Sequence, residues 1–295
     1  QDFANAHTGS YTFSDSKTMY AMWKANEYGV TLNGQGATNL PQNSVTMTFD
    51  SAAPDILVPS KNGYVFKGYF TKPNGAGEEY YDETGKSTQI WTVSDGSITS
   101  LYAKWEAVDY NMYLNPQQGY FLESDGSKTT TIKEIALTYN TADGADISSM
   151  IPKRVGYTFT GWYTESAGGI KVHDKYGYCT NEGTYFKNGI FIYPSGFTLF
   201  SGWSANKYNI TIDLNKTTGT GTSTIPYPNI TLTFDSSNHT YNGTNYDNYL
   251  EDNLPTRDGY DFVGLYDAGI KWCRDAVLYP GTGKWIMPTE CCSCI

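Results

Sequence analysis

Residues able to carry chemistry are few in this chain, and they are scattered. Glu78, Glu79, Asp82 and Glu83 crowd one polar stretch. A glycosidase needs two carboxylates flanking the scissile bond, one acting as acid and the other as base or nucleophile. Four carboxylates on a single loop read instead as solvated surface charge. Asp247, Glu251 and Asp252 offer oxygens for calcium, but they lack the ligand order of an EF-hand loop. Thr218-Gly219-Thr220-Gly221-Thr222 is as glycine-rich as a phosphate cradle. It follows a strand and leads to Pro226 rather than into a helix, so a turn is the expectation. His7, His173 and His239 lie in separate segments without the spacing of zinc ligands. The sequence contains no Gly-x-Ser-x-Gly elbow, P-loop, His-Glu-x-x-His or Gly-x-Gly-x-x-Gly. The expectation is a protein that is not an enzyme and has no catalytic residue, cofactor or metal.

Cysteine chemistry remains open. Cys179 and Cys273 are isolated, while Cys291, Cys292 and Cys294 crowd the carboxyl end. With five cysteines, at least one thiol is free or paired between molecules. A disulfide joining Cys273 to Cys291, Cys292 or Cys294 and a reduced, exposed tail both fit. Asn-x-Thr sequons occur at Asn209, Asn215, Asn229, Asn238 and Asn242, as chance allows in so Thr-rich a stretch.

The elements that would position these groups are strands. Of the 295 residues 39% are hydrophobic, with 26 Tyr, 13 Phe and 7 Trp, and 30 Gly supply tight turns. Only 17% are charged, which argues against long amphipathic helices. A net charge of −10 disfavours nucleic acid and anionic lipid as partners. No run approaches the roughly 20 apolar residues of a membrane span, and no signal-like stretch opens the chain. Gln1 stands where an initiator Met would, so a processed, excised or tag-cleaved form is expected.

Internal repetition is the most informative feature. Gly63-Tyr64-Val65-Phe66-Lys67-Gly68-Tyr69-Phe70 recurs as Gly156-Tyr157-Thr158-Phe159-Thr160-Gly161-Trp162-Tyr163, and again as Gly259-Tyr260-Asp261-Phe262-Val263-Gly264-Leu265-Tyr266. Strand alternation puts Tyr64, Phe66 and Phe70 on one face around Gly68, and Tyr157, Phe159 and Tyr163 around Gly161. The glycine suggests a bulge, or a ring from a neighbouring strand lying on bare backbone. Alternating strands precede each copy at Ser44–Phe49, Glu134–Tyr139 and Asn229–Phe234, with another upstream at Tyr28–Leu32, Tyr110–Leu114 and Tyr208–Leu214. Modules close on Leu101-Tyr102-Ala103-Lys104-Trp105 and Leu199-Phe200-Ser201-Gly202-Trp203. The expected repeat core is Tyr64, Phe66, Tyr157, Phe159, Tyr260, Phe262, Trp105 and Trp203.

This order of elements resembles the Listeria–Bacteroides repeat, the B-repeat type of internalins. Arg154 to Tyr163 and Leu101 to Trp105 are its best-preserved pieces. The resemblance implies β-grasp-like modules used in tandem by bacterial surface proteins as stalks or adhesive segments, and it supplies no catalytic residues. The expected fold is therefore mainly β: a tandem array of three β-grasp-like repeat modules plus an N-terminal orphan strand segment. The boundaries are residues 1–24 for that segment, then 25–106, 107–204 and 205–295 for the modules. Extra sequence at Asp174–Ile190 and Asn238–Asn253 is the expected place for a protein-specific role.

The ends do not match. Met19-Tyr20-Ala21-Met22-Trp23 is an orphan copy of the closing strand, while the third module has Cys291-Cys292-Ser293-Cys294-Ile295 where Leu-Tyr-Ala-x-Trp is due. A module short of a strand exposes unpaired backbone and seeks a strand. Residues 19–23 are thus expected to act as a donor strand for the third module of a neighbour, giving a head-to-tail homo-oligomer. A fragment of a longer array, or a degenerate last strand, explains the same pattern, with neighbouring repeats of that longer chain as the partners. The expected function is an extracellular, cell-surface stalk or fibre. The alternative is an adhesive or carbohydrate-binding module of a larger adhesin, with a host or matrix protein or a glycan as partner and Trp91, Trp272 and Trp285 as stacking surfaces.

Overall fold

Alternation of apolar and small polar residues over Tyr28–Leu32 and Ser44–Phe49 can bury one face only, and a hairpin is the simplest way to do so. The computed structural model describes residues 18–211, together with Ser16, Asp213, 229–235, 239–241, 244–245, Arg257, Gly259, 266–267 and 270–271. In it a leading strand, Glu27–Asn33, pairs antiparallel with a hairpin strand, Ser44–Thr48, setting Tyr28 opposite Met47 and Val30 opposite Val45. The second copy pairs Asp109–Asn115 with Lys133–Thr138, and Tyr110 faces Leu137. The third pairs Lys207–Thr211 with Asn229–Thr233, with Tyr208 and Leu232 as register partners.

The chain divides into two compact units, residues 1–106 and 107–295. Each holds a five-stranded sheet of one design. In unit 1 the order is hairpin strand, leading strand, closing strand (Ser100–Ala107), aromatic strand (Tyr64–Lys72) and edge strand (Ala76–Tyr81). Unit 2 repeats it with closing strand Phe197–Ala205, aromatic strand Tyr157–Tyr163 and edge strand Lys171–His173. Leading and closing strands run parallel, with Leu32 opposite Leu101 and Leu114 opposite Leu199. The closing strand thus sits at the centre of the sheet, bonded on both edges. No α-helix occurs among the described residues, so the architecture is mainly β.

Each sheet buries one face. Val30, Met47, Phe66, Tyr69, Trp91 and Leu101 form the middle of the first core, and Met112, Leu137, Phe159, Trp162, Phe186 and Leu199 that of the second. The glycine of the aromatic strand makes a bulge, with register breaking between Phe159 and Gly161 opposite the closing strand. Gly161 adopts φ +137°, and a Cβ there would stand 2.5 Å from the backbone carbonyl oxygen of His173. Gly68, at φ +115°, meets the Tyr81 carbonyl in the same way. A backbone oxygen, rather than a ring from a neighbouring strand, stands nearest beside each glycine.

Strict alternation is corrected by this bulge. Slipping the count by one residue brings Tyr69 and Trp162 into the cores, both fully buried. Phe70 and Tyr163 turn to the opposite face, where the ammonium groups of Lys104 and Lys171 lie 5.5 and 5.4 Å from their ring centres. The insertion after Asp174 is also partly structural, since Phe186 from its short strand is fully buried against Phe191.

Candidate functional site

Asp82, Glu83 and His173, among the candidate chemical groups, have local partners. Asp82 accepts hydrogen bonds from the Thr84 hydroxyl at 2.7 Å, the Thr84 amide at 2.8 Å and the Lys86 amide at 3.0 Å. The bond from the Thr84 hydroxyl leads in holding its carboxyl below the ordinary range, and this is turn-forming work. Glu83 pairs with Lys67 at 2.7 Å on the surface. His173 is fully buried beside Phe186, and its Nε2–H donates to the Gly144 carbonyl at 2.7 Å, while Nδ1 has no partner among the described residues. Burial lowers its pKa, so the ring stays neutral. Cys179 is a free, half-buried thiol whose pKa burial raises, away from reactivity. Among the described residues no three His, Cys, Asp or Glu side chains gather as metal ligands do.

Trp91 cannot stack on a sugar from where it lies. It is fully buried, 5.2 Å from the Tyr80 ring and 6.3 Å from that of Tyr28. Trp272, Trp285, Asp247, Glu251, Asp252, the 218–222 turn, Tyr260, Phe262 and Cys273, Cys291, Cys292 and Cys294 lie outside the described residues. Of the remaining repeat-core positions, Phe66 and Phe159 are buried, whereas Tyr64 and Tyr157 are half-buried at the strand starts. Trp105 and Trp203 cover the aromatic strand, 5.6 Å from Phe66 and 5.7 Å from Phe159.

Leu101 and Ala103 of the closing strand are 0% and 1% exposed, and the Trp105 indole N–H donates to the Gly34 carbonyl at 2.9 Å. Met19, Tyr20, Met22 and Trp23 carry the same pattern, yet they are 80%, 84%, 59% and 92% exposed and belong to no strand.

A second feature is a joint between the second and third copies of the repeat. The turn Arg154–Tyr157 closes when the Tyr157 amide donates to the Arg154 carbonyl at 3.2 Å, with Gly156 at φ +76°. The Phe234 ring lies where a Cβ on Gly156 would be, and it meets the Tyr157 ring edge-on at 5.4 Å. Tyr157 donates its hydroxyl to Asp235 at 2.9 Å, and Arg154 stacks its guanidinium 3.7 Å from the Tyr157 ring centre. Asn206 joins the two sides. Its amide donates to the Gly156 carbonyl at 2.9 Å, its side-chain oxygen accepts from Thr158 at 2.6 Å, and its carbonyl accepts from the Phe234 amide at 2.9 Å.

Sequence reasoning missed this joint, although a signal exists. Asn206 stands three residues after Trp203, and Val108 and Asn26 stand at the same distance from Trp105 and Trp23. The Val108 and Asn26 carbonyls likewise accept from the amides of Tyr139 and Phe49, each at 3.0 Å.

Comparison with known proteins agrees with the repeat. Residues 28–104 and 121–186 each match the Listeria-Bacteroides repeat domain. A protein of Evansella cellulosilytica whose name describes a Gly-rich membrane protein is 25% identical over 67% of this chain and 18% of its own length. A second from that organism, also named as a membrane protein, is 26% identical over 69% of this chain and 25% of its own. Internalin H of Listeria monocytogenes is 30% identical over 41% of this chain and 17% of its own. The chain thus spans a quarter or less of the length of these relatives. Among the described residues no helix is long and apolar enough to cross a membrane.

Proposed function

We propose that this chain, which carries two Listeria-Bacteroides repeats, is a non-enzymatic extracellular protein whose β-grasp-like modules build a cell-surface stalk or fibre. Its subunits join head to tail. Residues 19–23 of one subunit enter the third module (205–295) of the next as its closing strand.

The observation that carries this reading is the exposure of Met19, Tyr20, Met22 and Trp23 in a segment patterned like a buried central strand. Burying such side chains stabilises by about 25 cal/mol per Å² of apolar surface removed from water. A central strand gains backbone partners on both of its edges, twice what an edge addition gives. Heterologous contacts of this kind extend into an open filament unless the rotation closes a ring. Deleting residues 1–23 is expected to abolish the polymers seen by electron microscopy. Unchanged filaments, or a monomeric intact chain, would refute the proposal.

A second reading, an adhesive or glycan-binding module of a larger adhesin, draws on Tyr176 and Tyr178, which the insertion leaves 60% and 51% exposed. It predicts a glycan-array signal that is lost in Tyr176→Ala.

A further inference from the structure

We infer that the hairpin strand Ser44–Thr48 of the first repeat is a docking edge for the same strand of a second copy of this chain, paired antiparallel about a two-fold axis at Thr46. The contact is lateral and independent of strand exchange at residues 19–23. Its basis is one sheet edge that the three copies of the repeat treat in three different ways.

Pairing with the leading strand fixes which backbone groups this edge presents. The Leu32 amide donates to the Asn43 carbonyl at 2.8 Å, and the Phe49 amide to the Asn26 carbonyl at 3.0 Å. Backbone groups alternate in direction along an antiparallel strand. Asn43, Val45, Met47 and Phe49 therefore turn theirs to the leading strand, whereas Ser44, Thr46 and Thr48 point theirs away from it. The hairpin strand ends the order of its sheet, and the Ser44 and Thr46 side chains are exposed. The Ser44 carbonyl accepts from the Gln42 side chain at 2.9 Å and keeps a second lone pair. Among the described residues nothing bonds to Thr46 or Thr48 along that edge.

The other two repeats use the same edge. In the third it is filled: Thr231, which stands three residues before Phe234 as Thr46 stands before Phe49, pairs antiparallel with Thr240, and Leu232 pairs with His239. In the second it is capped. Thr138, the counterpart of Thr48, donates its amide to Asp143 at 3.0 Å, and its carbonyl accepts from the Thr141 hydroxyl at 2.7 Å. Ala53 stands after Thr48 where Asp143 stands after Thr138, so the first repeat has no carboxylate to close its edge in this way.

Charge and register select a second copy as the occupant. No Asp, Glu, Lys or Arg occurs from Tyr28 to Phe49, although the whole chain carries a net charge of −10. Chains of like charge repel, but this hairpin brings no charge of its own to the contact. The corresponding strand of the second repeat has Lys133 and Glu134, charges of the kind that blunt an edge, whereas Ser44–Thr48 has neither a charge nor a proline. Pairing the strand with itself about Thr46 sets Val45 opposite Met47 on the core face and Ser44 opposite Thr48 on the other, so like meets like on both. At the axis threonine meets threonine, as Thr231 meets Thr240. Leu57, 62% exposed, is held beside the edge by the bond from its amide to Gln42 Oε1 at 3.2 Å, and it adds apolar surface to the contact. Two five-stranded sheets thereby become one continuous sheet.

The test is photocrosslinking in the full chain, with p-benzoylphenylalanine at position 44 and ¹⁵N- and ¹⁴N-labelled chains mixed. The expected product joins position 44 to a peptide containing residues 46–50 of the oppositely labelled chain. Thr46→Lys sets two like charges face to face on the axis and is expected to lower the yield about tenfold or more, as is Thr46→Glu. Mixing the Lys and Glu variants is expected to restore the yield, which a misfolded variant could not do. Absence of the crosslink overturns the docking edge. Failure of either variant to lower the yield, or of mixing to restore it, overturns the two-fold at Thr46. Crosslinks from position 44 to another segment, such as residues 19–23 or 133–138, give the edge a different occupant and overturn self-pairing.

Discussion

Replacing Phe159 by alanine tests whether the aromatic strand organises the second core. Its ring is 7% exposed and meets Trp162 edge-on at 5.4 Å and Trp203 at 5.7 Å. Truncation removes the transfer free energy of the ring and leaves a cavity whose walls are two large indoles and a bulged backbone, none of which collapses easily. Phe→Ala changes in such sites cost about 3–5 kcal/mol, and the stiff surroundings favour the upper half of that range. With a urea m-value of about 2 kcal/mol/M the unfolding midpoint should fall by about 2 M. Both neighbouring tryptophans report the transition, so equilibrium urea unfolding followed by fluorescence measures it directly. Phe159→Leu, which refills much of the volume, should cost less. A midpoint within about 0.3 M of the parent would show that this face does not hold the sheet together.

Two further outcomes follow from the same sheets. Gly161→Ala must adopt φ +137° and press a methyl against the His173 carbonyl, so it should lose more than about 2 kcal/mol in the same assay, whereas Thr160→Ala beside it should lose little. His173 is buried neutral with a lowered pKa, so only the unfolded chain takes up its proton near the usual value of 6.5. Stability from this group is complete above that pH and falls as the pH drops, by at most about 1.4 kcal/mol per pH unit. Urea midpoints at pH 7.5 and 5.5 should therefore lie closer together in His173→Phe than in the parent, and an unchanged gap would refute the assignment.

The sequence alone determined the strands and their repetition. Period-two alternation in Ser44–Phe49 or Tyr110–Leu114 has one physical solution, a half-buried strand, and three matched copies of several such segments require a repeated sheet. Only the tertiary structure decided what depends on backbone course and on distant neighbours. The bulge at Gly161 rotates Trp162 inward, since one extra residue in a strand reverses every side chain beyond it. Trp91 is core rather than a surface for sugars, because the Tyr28 ring beside it comes from the leading strand, far away in the sequence. The central place of the closing strand is set by parallel pairing, which leaves no local signature. Asn206, Phe234 and Asp235 acquire a role only when folding brings the Gly156 turn beneath them, because a contact across so many residues is written in no single segment.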